Sequence, residues 1–112
     1  IARHGSVFTR DGRLTIRDAR YAEDFRPIEE GCGCYACRHF SRSYIRHLLK
    51  AGELLGLRLT TIHNLHFLLS LMSEARRRII EGDFFAFKED FLRRYFADGG
   101  TARGGKDGTV SK

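Results

Sequence analysis

Three cysteines, Cys32, Cys34 and Cys37, fall within six positions as C-x-C-x2-C, and the chain contains no others. An odd number of thiols cannot all pair within one chain, so the spacing argues against a disulfide framework. It points to a bound metal in a reducing compartment such as the cytoplasm. Gly31 and Gly33 let the backbone turn sharply around the first two sulfurs. Three soft ligands from one tight loop, completed by an imidazole, suit tetrahedral Zn(II). His63 is the preferred fourth ligand, giving C-x-C-x2-C-x25-H, with His66 and His39 competing for the place and His4 and His47 less suited. Merely buried thiols are the bland alternative, and an iron–sulfur cluster would want a fourth cysteine. Four protein ligands leave no open position for water, so such a zinc would fold the loop and not activate a nucleophile.

Charge separates function classes further. The 112 residues carry 20 Lys+Arg against 14 Asp+Glu, a net +6. The excess is local: between residues 38 and 58, Arg38, Arg42, Arg46, Lys50 and Arg58 face only Glu53. A basic patch beside the cysteines suits a phosphate-bearing partner. No apolar run approaches the roughly 18 residues a membrane span needs. The chain begins at Ile1 without a signal-like progression, and the expectation is an internal piece of a longer protein.

Residues 6 to 17 predict a β-hairpin around Asp11-Gly12, with Thr9 opposite Leu14 and Val7 opposite Ile16 on one face, and Phe8 and Thr15 on the other. Ser41 predicts the N-cap of a helix to about Gly52, with Tyr44, Ile45, Leu48 and Leu49 apolar and Arg38, Arg42, Arg46 and Lys50 in a row opposite. That row reads either as phosphate contacts or as a solvated helix face. A second helix, about Thr61 to Glu81, is capped by Thr60 or Thr61, puts His63 in its first turn, buries Ile62, Leu65, Leu69, Met72 and Ile79, and ends at Gly82. A third, about Asp83 to Phe96, carries the stripe Phe84, Phe87, Phe91, Leu92 and Tyr95. Residues 98–112 are Gly-rich and expected to be disordered.

The stretch FTRDGRLTIRDARYAEDFRPIEEGCGCYACRHFSRSYIRHLLKAGELLGLRLTTIHNLHF, Phe8 to Phe67, resembles the C-terminal part of bacterial tRNA-guanine transglycosylases, also called queuine tRNA-ribosyltransferases. The cysteine spacing, the FSRSYIRHLLKAGE segment and TIHNLHF occur together and in order, and the likeness covers about residues 1 to 95. In that family the three cysteines and the histidine of TIHNLHF bind a structural zinc, which favours His63.

The resemblance implies a fold and a role. The full enzyme would be an α/β TIM barrel, which needs about 250 residues. This piece would be α+β: residues 1–59 a zinc-binding subdomain with its hairpin, 60–97 the last barrel helix and a C-terminal helix, and 98–112 a loose tail. The aromatic stripe would then meet partners outside the chain. The implied reaction exchanges the wobble guanine of a tRNA anticodon for a 7-deazaguanine through a covalent aspartyl intermediate. No acidic residue here matches the catalytic aspartates; Asp11 belongs to the turn, and Asp18, Glu23 and Asp24 are expected on solvated faces. Arg3, Arg38, Arg42 and Arg46 are the candidate contacts to the tRNA anticodon region, and Phe40, Tyr44 and His47 match positions packed between subunits of a homodimer. The competing reading is a self-contained zinc module that binds nucleic acid or a protein partner without catalysis.

Overall fold

A computed structural model describes residues 5–97; Arg3 and the expected disordered tail lie outside them. The element order is β1 (Ser6–Thr9), β2 (Gly12–Thr15), a 3-10 turn at Ala19–Tyr21, α1 (Tyr35–His39), α2 (Arg42–Lys50), α3 (Leu54–Glu81) and α4 (Phe84–Tyr95). The described residues form an α+β arrangement of one antiparallel hairpin and four α-helices. Among the described residues no helix is long and apolar enough to cross a membrane.

The hairpin forms with the expected faces and a different register. Thr9 pairs with Gly12, and Val7 with Leu14, so Arg10 and Asp11 are the loop residues in place of Asp11 and Gly12. Thr9 organises this turn: its hydroxyl accepts the Asp11 N–H at 3.2 Å and donates to the Gly12 carbonyl at 2.6 Å. Gly12, at φ +117°, supplies the conformational freedom one residue later, as the first residue of β2. Because side chains alternate with period two, a slip of two positions exchanges partners without exchanging faces. Val7, Thr9, Leu14 and Ile16 are buried. Val7, Leu14 and Ile16 join Tyr21, Ile28, Ala36, Ile45, Leu48, Leu49 and Leu59 in one core.

Ser41 caps α2 as expected, accepting the Tyr44 N–H at 3.1 Å, a bond typically contributing about 1 kcal/mol. The carbonyls of Arg26 and Asp24 accept the next two free N–H groups, from Arg42 and Ser43. The segment before the cysteines is thereby tied to the start of α2. The α2–α3 contact is close: a Cβ on Gly56 would come within 3.0 Å of Leu48 Cβ and the Leu49 nitrogen.

Helix α3 departs most from expectation. It starts at Leu54, and Thr60 and Thr61 are not caps; both hydroxyls donate back to the Leu57 carbonyl inside the helix. His63 therefore sits in the third turn. Nor is the predicted stripe buried: Leu65, Leu69, Met72 and Ile79 are more than half exposed, and Ile62 is exposed too. The buried residues are Gly56, Leu59, Thr60, His63, Asn64 and Phe67, on the opposite side at 3.6 residues per turn. The helix ends at Gly82, as expected.

Helix α4 matches its expected range, but its stripe finds cover within the chain. Phe84, Phe87, Phe91 and Tyr95 form a ladder with successive ring centroids 6.3, 6.4 and 5.5 Å apart. Phe67 of α3 meets Phe91 at 6.5 Å and Phe8 of β1 at 5.9 Å. Leu92 stays exposed.

Candidate metal centre

Two sulfurs, of Cys32 and Cys34, come from the turn entering α1, and the third, of Cys37, from α1 itself. Cys34 is the N-cap of α1, and its Sγ accepts the Cys37 N–H at 3.3 Å, which fixes the second and third ligands relative to each other. The Cys32 N–H is held by the Glu29 carbonyl at 3.2 Å. His63, fully buried on α3, points Nδ1 at all three: the distances are 3.6 Å to Cys32, 3.6 Å to Cys34 and 3.4 Å to Cys37. All four ligand atoms lie within 4.8 Å of one another.

These separations carry information about what the cluster holds. A tetrahedral ion bonded to sulfur at about 2.3 Å and nitrogen at about 2.0–2.1 Å has an S···N edge of about 3.6 Å. The arrangement therefore fits a four-coordinate metal with no fifth group required. The cysteines are free thiols, not disulfides. Burial pushes the Cys32 and Cys37 thiols up and the His63 imidazolium down, so the metal-free cluster favours neutral groups and a cation must supply the charge that makes thiolates.

The tautomer of His63 is forced by its other nitrogen. Nε2 lies 2.7 Å from the Phe8 carbonyl, which can only accept, so Nε2 carries the proton and Nδ1 presents its lone pair to the sulfurs. The competing histidines are not in the cluster.

The chain matches the family model described as Queuine tRNA-ribosyltransferase over residues 1–97. The chain belongs to this family. Curated relatives named queuine tRNA-ribosyltransferase are 60% identical over 97 residues in Symbiobacterium thermophilum and 56% identical over 98 residues in Pelotomaculum thermopropionicum. These alignments cover 87% and 88% of this chain but 24% and 26% of the relatives. The relative from Desulforudis audaxviator is 61% identical over 92 residues, covering 82% of this chain and 25% of its own. The chain thus spans about a quarter of the length of the queuine tRNA-ribosyltransferases it matches.

The structure does not bring the four basic residues into one row. Arg38 lies exposed on α1, a separate helix from the other three. Arg42 is 7% exposed and its guanidinium is committed inward, donating to the carbonyls of Pro27 at 3.0 Å and Ile28 at 2.9 Å and to Asp24 at 3.0 Å, beneath the Tyr21 ring. Arg46 is half-buried and donates to the Asp18 carbonyl at 3.1 Å. Lys50 is exposed. A four-residue period places groups on one side of a helix without saying what covers that side, and here the 24–28 segment does. Asp24 is correspondingly not solvated: hydrogen bonds from the Arg26 side chain foremost, with Arg42 adding, hold its carboxyl at about 2.

Phe40, Tyr44 and His47 form a partly exposed aromatic strip. Phe40 stacks on Tyr44 at 5.5 Å, Tyr44 meets His47 at 6.4 Å, and Tyr35 extends the strip at 6.0 Å from Phe40. Sequence reasoning missed Asn64, whose amide is spent on β1, and the Phe8 carbonyl that orients His63. The only signal for Asn64 is an amide side chain directly after the candidate histidine.

Proposed function

We propose that this chain is the zinc-bearing portion and closing helices of a tRNA-guanine transglycosylase, which replaces the wobble guanine of a tRNA anticodon with a 7-deazaguanine precursor of queuosine. The match along residues 1–97, with the three sulfurs each 3.4–3.6 Å from Nδ1 of His63, supports this reading. The ion is zinc, which the Cys3His donor set and the S···N spacing favour. It folds the subdomain and takes no part in chemistry, since four protein ligands leave it no open position. The two aspartates of the reaction belong to the remaining three quarters of a cytoplasmic enzyme built on a TIM barrel. Helix α3 is the helix that closes that barrel, continuous from the zinc subdomain (to residue 59) into the barrel segment (from residue 60). Arg3, Arg38 and Arg46 are the phosphate contacts to the tRNA anticodon region, and Arg42 holds the segment before the cysteines through the Pro27 and Ile28 carbonyls. The strip of Phe40, Tyr44 and His47 packs against a second copy in a homodimer.

A self-contained zinc module without catalysis is the competing reading. The bare apolar side of α3, with Met72 66% and Ile80 76% exposed, weighs against it, because a helix apolar on both sides belongs inside a larger body. The test is a chimera in which residues 5–97 replace the corresponding quarter of the Symbiobacterium thermophilum relative. It should contain about one zinc per chain and exchange labelled guanine into tRNA. A folded, zinc-loaded chimera without exchange overturns the transglycosylase reading.

A further inference from the structure

The free edge of the hairpin is paired by side chains from a helix. Ser6 and Phe8 turn backbone groups away from β2, and a strand edge left open in this way is a liability that proteins normally cover. Here α3 covers it with two consecutive residues. Asn64 Oδ1 accepts the Phe8 N–H at 3.0 Å, and Asn64 Nδ2 donates to the Ser6 carbonyl at 3.0 Å. His63 Nε2 donates to the Phe8 carbonyl at 2.7 Å. The Asn64 amide orientation is fixed by its partners, one a donor and one an acceptor. Asn64, 8% exposed, thus does for β1 what a neighbouring strand would do.

Phe8 is consequently gripped on both backbone groups, its N–H by Asn64 and its carbonyl by the metal-facing histidine. The carbonyl can lock the imidazole only if β1 is held in place, and the Asn64 amide is what holds it on that edge. We infer that Asn64 is a positioning residue for the metal centre, acting through β1 and the Phe8 carbonyl to fix the ring plane and tautomer of His63. Neighbours that orient a ligand histidine typically change metal affinity by about 10- to 100-fold when removed.

This inference rests on the zinc reading above, and the test separates the two. Zinc content of the full-length wild-type protein is measured first; absence of the metal overturns the centre itself. With zinc present, Asn64→Ala should release it to a competing chelator about ten-fold faster while all four ligands remain. In cobalt(II)-substituted protein the same change should shift the visible ligand-field bands, which respond to ligand orientation and not to general loss of stability. Asn64→Asp keeps the acceptor for Phe8 and loses the donor to Ser6, so it should fall between wild type and Asn64→Ala; where the alanine variant does not fold, the aspartate variant decides. Wild-type release rates with unshifted cobalt bands overturn the role of Asn64.

Discussion

The two halves of α3 are one continuous helix with opposite fates. From Leu54 to Phe67 it buries Leu59, Thr60, His63, Asn64 and Phe67; after Phe67 none of its residues is fully buried among the described residues. The first half is held by polar and metal-directed groups: an imidazole among three sulfurs, an amide on a strand edge, and a glycine at the crossing with α2. The second half meets α4 through Arg78 and the hairpin loop through Glu74, and leaves Leu68, Leu69, Met72, Ile79 and Ile80 exposed. A helix of 28 residues is about 42 Å long, and the subdomain covers only its start. Both halves are rich in leucine and isoleucine, so apolar content alone does not distinguish them; the difference lies in what the rest of the chain brings to them.

The largest expected effect breaks the first half alone. Structural zinc binding is worth on the order of 10 kcal/mol, and that free energy is coupled to folding of the site. In the full-length protein proposed above, Cys37→Ser should abolish stoichiometric zinc and collapse amide-exchange protection in β1, β2 and α1. Protection in α3 beyond Phe67 should survive, held by the covering part. A loss spread evenly along α3 would show that the halves are one unit, and the comparison would fail.

The next effect tests what covers the second half. Leu59 is fully buried here, so Leu59→Ala should cost about 2–5 kcal/mol in any context that retains the subdomain. Leu69 is 56% exposed in this chain. If a barrel lies over it in the full-length protein, Leu69→Ala should cost about as much as a core truncation, roughly 2–5 kcal/mol by denaturant unfolding. A cost within about 0.5 kcal/mol, the usual range for a surface site, would leave this face uncovered and favour the self-contained module.

The same comparison explains what was legible in the sequence. The cysteine cluster could be read directly because its spacing is short and local. His63 could not be separated from His66 and His39 on residues alone: the choice depends on where α3 starts, and Thr60 and Thr61 imitate caps while bonding back to Leu57. Hairpin faces follow from alternation and were legible; the register depends on the Thr9 hydroxyl and was not. Arg42 shows the same limit. Its period was plain, but the segment that folds over it comes from 14 to 18 residues earlier in the chain. The stripe on α3 is legible as an apolar face, but within this chain it stays exposed, because periodicity marks such a face without naming its partner.

The smallest expected effect lies where the two regions are joined. The hairpin loop reaches across to the far helices by two ion pairs, Arg10 with Glu74 at 3.0 Å and Asp11 with Arg94, whose Nη2 stands 3.2 Å from the carboxylate. Asp11 and Arg94 are each more than half exposed, so water and salt weaken their attraction, and ordering the long arginine costs entropy. A double-mutant cycle of Asp11→Ala and Arg94→Ala should give a coupling of about 0.2–1 kcal/mol, falling further at high ionic strength. The aromatic path from Phe8 through Phe67 to Phe91 joins the same two regions without charge, and salt should leave it untouched. A salt-independent coupling well above about 1 kcal/mol would mean that the loop and α4 order each other through packing, and the boundary between the two halves would then lie further along α3 than Phe67.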